Sequence, residues 1–599
     1  MADLRRALAC LILLGAWPLA AQPPRAKLGD SSSGSRATPA HVIALRDFEG
    51  DTIQPGDRHA LPFSVSQTCG GACHDVAAIS HGWHFNAAVA GVPPGRQGQP
   101  WLFTDRDTAS VIPLSYRAWP GAYKPRQFGI SDREFALRFG GRSAGGIGPG
   151  GDTSALDRIR WGVSGALEVN CLVCHDASPA YDQAEYASQV AQENFRYAPA
   201  SASGLALVTG SAREMPGVFD YLLPNSVEDS LQPKVPRVEY APAHFLPGGK
   251  VAFDIVRDVK SSRCYYCHTD VDVEFIGAAR WKSHQDVHVA RGIACETCHR
   301  NGLDHMTVRG YEDASLTCQG CHQKGNALGA PHPEHAGIPP LHFAKLACTA
   351  CHSGPLPEAS TRQFKNSMTH GLGEFNVNSS PDAPPHLYYP VFARQQDGKL
   401  APNRAVWPAF WGRLRGGQAI PVPDAEVKAV LAKGKLSTPA DVDERWVEQV
   451  LGLLGQDAVY IGGGKLHRLA GGRLLAEDHS QAQLYLWPIG HDVRPAAQAL
   501  GAKGCQECHS TEGAVFFGNV TVDSPIAAQR TTWKMNRFES NLDADYQARL
   551  AETWQYRGWL KVIGLGAVAV LLLVLLAYAL KAVEWLSASL IGRTTGRKR

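Results

Sequence analysis

Hydrophobic positions crowd the two ends of the chain and thin out between them. Residues 7–14 form an apolar run behind Arg5 and Arg6, and the segment Leu19-Ala20-Ala21 supplies small residues for cleavage. That order is the layout of an export signal, so 1–21 is expected to leave on secretion, taking Cys10 with it. At the far end, residues 562–580 read "VIGLGAVAVLLLVLLAYAL", 19 residues without a charge. A helix of that length crosses the ~30 Å hydrocarbon layer of a bilayer and satisfies its own backbone polar groups there. Trp554, Tyr556 and Trp559 precede the run as interfacial aromatics, and Lys581, Arg593, Arg597, Lys598 and Arg599 follow it. Positive residues stay on the cytoplasmic side, which predicts a tail inside and a large body outside.

Between these ends the helical period shows in one region. In "PDAEVKAVLAKG" Val427, Val430 and Leu431 share a face, with Asp424 expected as N-cap and Gly434 as stop. "STPADVDERWVEQVLGLLG" repeats the pattern with Val442, Trp446, Val447, Val450 and Leu454, and "KLHRLAGGRLLA" reads as a hairpin turning at Gly471 and Gly472. Residues 381–500 therefore form a small α+β module. Residues 536–556 are expected to continue as a helix into the membrane. Ser31 to Pro39 marks a flexible leader over 22–41, and 140–152 is a glycine-rich loop.

Composition narrows the class. The 599 residues are 44% hydrophobic and 19% charged, which excludes both a disordered chain and one wholly embedded in lipid. A net charge of +3 gives no reason to expect nucleic acid as a partner. Sixty Gly and 39 Pro predict extensive loops.

The cysteines carry the chemistry. Of fifteen, fourteen lie outside the signal, and twelve of those sit in six Cys-x-x-Cys-His motifs. These are Cys171, Cys174 and His175; Cys264, Cys267 and His268; Cys295, Cys298 and His299; Cys318, Cys321 and His322; Cys348, Cys351 and His352; and Cys505, Cys508 and His509. In such a motif two thiols add to the vinyl groups of haem and the histidine binds its iron. Disulfides would not require a histidine after every second cysteine, and zinc would join such pairs two to an ion. The last pair, Cys69 and Cys73 with His74, stands in "TCGGACHD" with one residue too many. Gly70 and Gly71 can take positive φ and pucker the loop, so a seventh haem is expected there. Seven haem c groups follow, six of them within 42–380. Four motifs fall within 89 residues, Cys264 to His352, so their haems must lie close together.

Sixteen histidines are left after the seven proximal ones. His81, His84, His284, His288, His305, His335, His342 and His491 are the candidates for the opposite, distal positions, with His332 nearby in sequence. The spacings His284/His288 and His81/His84 place each pair on one helix face. Only Met215, Met306, Met368 and Met535 compete, so two-histidine, low-potential, low-spin haems are expected to dominate. No catalytic residue stands out, and acids such as Asp286 and Glu312 read as solvated or haem-adjacent.

The run from Cys264 to His305, with Cys264 to His268, His284, His288, Cys295 to His299 and His305, resembles the multihaem cytochromes c of the group containing octahaem tetrathionate reductase, hydroxylamine oxidoreductase and cytochrome c-554. The resemblance covers roughly a third of the chain, which carries seven motifs where the octahaem enzymes carry eight. It implies a mainly α fold with extensive loops, organised by stacked haems, and an exported redox role. The expected order is 1–21 signal, 22–41 leader, 42–380 multihaem domain, 381–500 haem-free module, 501–558 seventh haem and helical stalk, 559–581 transmembrane helix and 582–599 basic tail. Two functions fit. One is a periplasm-facing, inner-membrane cytochrome passing electrons between a membrane cytochrome b or quinol-oxidising complex and periplasmic redox partners. The other is a reductase of small sulfur or nitrogen oxyanions at one open haem. A third, weaker reading is a structural cytochrome docked in a larger respiratory assembly.

Overall fold

The computed structural model describes residues 27–595 apart from 32–34, 36, 58, 147–160, 216–233, 269, 273–285, 308–316, 326, 367–386 and 540–542. The signal segment, His284, Glu312, Met368 and the last four residues lie outside the described residues, as do residues 147–152 of the glycine loop.

Helix outweighs strand, 38% against 19% of residues, but one helix, Ala544–Thr595, accounts for 52 residues of it. The helices that carry the cysteine motifs are single turns. The rest of the described body mixes short helices with antiparallel sheet. One five-stranded antiparallel sheet runs in the order Tyr485–Pro488, Leu400–Val406, Leu387–Arg394, Arg362–Asn366, Asp270–Asp272. A second runs Gln418–Pro421, Phe410–Arg415, Ala458–Gly462, Lys465–Ala470, Arg473–Asp478. The hairpin at Gly471 and Gly472 forms as the sequence predicts, with φ of 59° and 76°. Two consecutive positive φ values match the twist of the flanking strands, and glycine adopts them without strain.

Both predicted helices are present, as Asp424–Gly434 and Glu444–Leu454. Pro423 rather than Asp424 is the N-cap of the first. Asp424 lies in the first turn, where its carboxylate accepts from Thr108 and pairs with Lys428 at 2.9 Å. In the second, the Asp443 side chain accepts from Trp446 N at 2.7 Å and caps the helix. Trp446, Val447, Val450, Leu451 and Leu454 are buried against Trp411 and Tyr460 of the sheet, each large apolar side chain contributing ~1.5–3 kcal/mol.

The 381–500 region does not pack alone. Phe103, Ile112 and Leu114 of the Trp101–Asp105 and Ser110–Leu114 hairpin share a core with Phe410, Val459, Ile461 and Leu466. Val111 and Ala409 exchange backbone hydrogen bonds across the two regions at 2.7 and 2.8 Å. A separate core, with Leu45, Phe63, Tyr186, Val190 and Phe195, holds Cys69, Cys171 and Cys174 at its margin.

The helix over 544–592 is long and apolar enough to cross a membrane: its apolar stretch has mean hydropathy 2.7 and none of that stretch is buried by the body. At 1.5 Å per residue the 52-residue helix is ~78 Å long, far more than the bilayer core requires. Its first turns stand outside the apolar stretch and pack on the Gln506–His509 turn.

Candidate metal centres

The regular motifs fold as single helical turns, except that the fifth runs into a π-helical turn over Gly320–Gly325. The amide of His175 donates to Cys171 O at 3.0 Å, His268 to Cys264 O at 2.9 Å, His299 to Cys295 O at 2.9 Å and His509 to Cys505 O at 3.0 Å. Residues three and four apart share a helix face, so both sulfurs and the imidazole come to one side. The first motif reaches a similar turn one residue later. There His74 N donates to Gly70 O instead of the first cysteine, and Gly71 at φ 55° absorbs the extra residue. Gly70 keeps a negative φ, contrary to the expectation that both glycines pucker the loop.

Six motif histidines face a second histidine ring. The pairs, with centroid separations, are His175 with His305 at 6.1 Å and His268 with His84 at 6.3 Å. His299 faces His491 at 5.8 Å, and His322 faces His288 at 6.2 Å. His352 faces His335 at 6.2 Å, and His509 faces His342 at 6.0 Å. Metal–nitrogen bonds of about 2.0 Å and ~1 Å from nitrogen to ring centre put two imidazoles on opposite sides of one metal roughly 6 Å apart. All six pairs meet that spacing. Among the described residues no group of three or more His, Cys, Asp or Glu gathers as a bare metal site. The protein offers two donors per centre, which fits a porphyrin that supplies the other four.

The six facing histidines belong to the sequence-derived candidates, but they cross between motifs. His84 stands between the first and second motifs and faces the third. His288 stands between the third and fourth and faces the fifth, while His305 reaches back to the second. Local packing fixes these crossings. Arg117 donates to Trp83 O and Asn86 Oδ1, both at 2.7 Å, and lies 3.3 Å over the Trp83 ring, bracing the turn that carries His84. That turn touches His305: a Cβ on Gly82 would come within 2.6 Å of His305 Cβ, so only glycine permits the approach. His305 and His335 themselves sit at φ 51° and 44°, a left-handed conformation that costs a non-glycine residue free energy and concentrates at functional sites.

His81 does not join a pair. It is exposed and its Nδ1 meets Ala77 O at 2.6 Å. His332 is likewise exposed, with Nδ1 on His322 O at 3.1 Å. Met306 and Met535 place their sulfurs against Asn86 Nδ2 and Phe392 N.

The second ring nitrogen sets the tautomer. Nδ1 of His175, His322 and His352 lies 2.8, 2.8 and 3.2 Å from the carbonyl oxygens of Val256, Pro331 and Arg494. Donation from Nδ1 leaves the Nε2 lone pair for a metal. Two histidines use a carboxylate instead: His74 with Asp30 and His288 with Asp286, both at 3.0 Å. Asp286, expected to be solvated or haem-adjacent, is 5% exposed and bonded to the His288 ring. His84, His268 and His491 are exposed residues, yet desolvation by the surrounding protein and the neighbouring histidines disfavour their charged forms. His268 is pushed down to about 3 and His491 to about 4, desolvation being the larger cause. Neutral imidazole is the metal-binding form.

The thiols link the motifs end to end. Cys69 hydrogen-bonds Cys171, Cys264 bonds Cys295, and Cys318 bonds Cys348. Those bonds raise Cys69 and Cys264 and lower Cys171, Cys295 and Cys348, the last two to about 6. Second cysteines make the alternate steps: Cys174 lies within electrostatic reach of Cys267, Cys298 of Cys321 and Cys351 of Cys508. The motifs therefore follow one another from the first to the seventh, hydrogen-bonded thiol pairs alternating with pairs near enough to feel each other's charge. Beside the fifth, a cleft of about 600 Å³ is lined by His322, Lys324, Pro331 and His332, on the scale of cofactor sites (~300–1,000 Å³).

Residues 287–361 match the cytochrome c3 family. The matched segment holds the fourth, fifth and sixth motifs together with His288, His305, His335 and His342. No curated protein and no solved structure matches the chain. The family match, together with the repeated Cys-x-x-Cys-His turns, supports a multihaem c-type cytochrome. A cytochrome of that kind works in electron transfer: bound haem would supply iron that gains and loses single electrons, and the motif cysteines and histidines are the residues that would hold it.

Proposed function

We propose that this cytochrome carries seven haem c groups in single file and is anchored in the cytoplasmic membrane by residues 559–581, its body facing the periplasm. Electrons pass between a membrane quinol or cytochrome b system at the seventh-motif end and periplasmic redox partners at the first-motif end. The observation that supports this reading is the succession of neighbouring thiols from Cys69 to Cys508, alternately hydrogen-bonded and within electrostatic reach, with the seventh motif packed on the membrane-length helix. On this reading Cys69, Cys73 and the six regular cysteine pairs attach the haems. His74, His175, His268, His299, His322, His352 and His509 are proximal ligands; His84, His288, His305, His335, His342 and His491 are distal ligands. Intact mass and pyridine haemochrome test it together and should both give seven. Reduction by a quinol in proteoliposomes, with a donor complex supplied, should reach all seven; a haem population that only dithionite reduces would break the file.

One observation favours a second reading, a reductase of small sulfur or nitrogen oxyanions. Among the described residues no histidine ring faces His74 at ligand spacing, so the first haem is the candidate for an open coordination site. Electron paramagnetic resonance of the oxidised protein decides: one high-spin haem supports the reductase, and none leaves pure electron transfer.

A further inference from the structure

The segment Lys27 to Ser31 lies across the first motif. Gly29 N donates to Cys73 O at 2.7 Å, Leu28 N to Ala72 O at 3.4 Å, and Lys27 Nζ to His74 O at 3.0 Å. Gly29 packs flat on the imidazole of His74, where any Cβ would overlap the ring. The strap delivers Asp30, whose side chain is 1% exposed. Its Oδ1 accepts from His74 Nδ1 at 3.0 Å and its Oδ2 from Asp75 N at 2.8 Å. Asp286 makes a comparable bond to His288 but divides its charge between two backbone donors as well, His288 N and Val493 N, both at 2.8 Å. Asp30 has one backbone donor and so commits more of its charge to the imidazole. His175, His322 and His352 have neutral carbonyl partners at the same ring position.

We propose that Asp30 is a positioning residue that gives His74 imidazolate character and lowers the reduction potential of the first haem. The inference rests on the reading of His74 as a haem ligand. A carboxylate that takes a strong hydrogen bond from Nδ1 makes Nε2 a stronger donor. A stronger axial donor stabilises ferric over ferrous iron. The step is one electron taken up by ferric iron from the haem on Cys171 and Cys174, with no bond made or broken. Its consequence is directional. The terminal haem fills last as electrons accumulate along the file, and once reduced it gives its electron to an outside acceptor with the larger driving force. The strap thereby turns the end of the file into an outlet that discharges only when the rest is charged.

Spectroelectrochemical titration of the full-length, haem-loaded protein tests this, with Asp30→Asn, Asp30→Glu and Gly29→Ala beside the wild type. D30N keeps an acceptor of the same shape but removes the charge. It should raise one of seven midpoint potentials, leave six unmoved and alter the resonance signal of that one haem. D30E should return the potential toward the wild-type value. G29A, which pushes the strap off the ring while keeping the carboxylate, should shift the same haem upward. Seven haems with unchanged potentials in D30N overturn the inference alone, as does an equal shift in D30N and D30E. A wild-type count of six haems overturns the ligand reading and the inference with it.

Discussion

The indole of Trp554 lies parallel to the imidazole of His509, with centroids 4.8 Å apart and planes at 13°. Trp554 belongs to the helix Ala544–Thr595 and His509 to the seventh motif. Arg557 covers the indole at 3.9 Å, while Phe516 stands 5.9 Å from the imidazole. The apolar run at 562 begins eight residues on, ~12 Å along the helix axis. One side chain thus joins the proposed membrane anchor to the haem motif at its end of the file.

Trp554→Ala should therefore act on the seventh haem alone. Losing the stack removes ~1 kcal/mol of aromatic contact and frees the His509 ring to rotate. One low-spin resonance signal should change and six should persist, while reduction from the membrane side slows. Seven unchanged signals would separate Trp554 from the haem.

His288→Ala should convert one haem from low-spin to high-spin, or lose it, because His288 faces His322 at 6.2 Å. His81→Ala is the matched control, since His81 is exposed and its ring nitrogen meets the backbone oxygen of Ala77 rather than a facing histidine. A spectral change in H81A, or none in H288A, contradicts the proposed ligand set.

Ending the chain at Asp543 should give a water-soluble protein with its full complement of haems, since every motif lies before that point and the membrane-length helix lies after it. Haem count and sedimentation check this. Persistent membrane association after salt washing would point to a second anchor or a retaining partner.

Glu539 should make stability depend on pH. It is fully buried, accepts from Gln547 Nε2 at the start of the long helix at 3.2 Å, and is pushed up to about 8 by burial. The native state holds this proton more tightly than the unfolded chain, whose ordinary value is 4.5. The stabilisation is complete below 4.5 and is lost as pH rises through about 8. The effect is on the order of a few kcal/mol. Tm of the wild type should fall across that window, and Glu539→Gln should flatten the slope; equal slopes would remove Glu539 as the cause.

The attachment motifs were legible in the sequence because their chemistry is local. Cys171, Cys174 and His175 meet on one helical turn, and three- and four-residue spacing brings them there whatever surrounds them. The same holds for the Glu444–Leu454 helix, whose buried face follows from its own period, and for the turn at Gly471 and Gly472. The pool of facing histidines was also legible, since imidazoles collect near the motifs. Their pairing was not. His84 meets His268, and His342 meets His509, only because separate segments fold back on each other, and no local period encodes which loop reaches which ring. Sheet pairing has the same limit: Phe103 and Phe410 share a core through contacts between distant segments. The buried carboxylates of Asp30 and Asp286 were hidden for a further reason. In the sequence each is an ordinary acid, and only tertiary burial beside an imidazole turns its charge toward a proposed metal ligand.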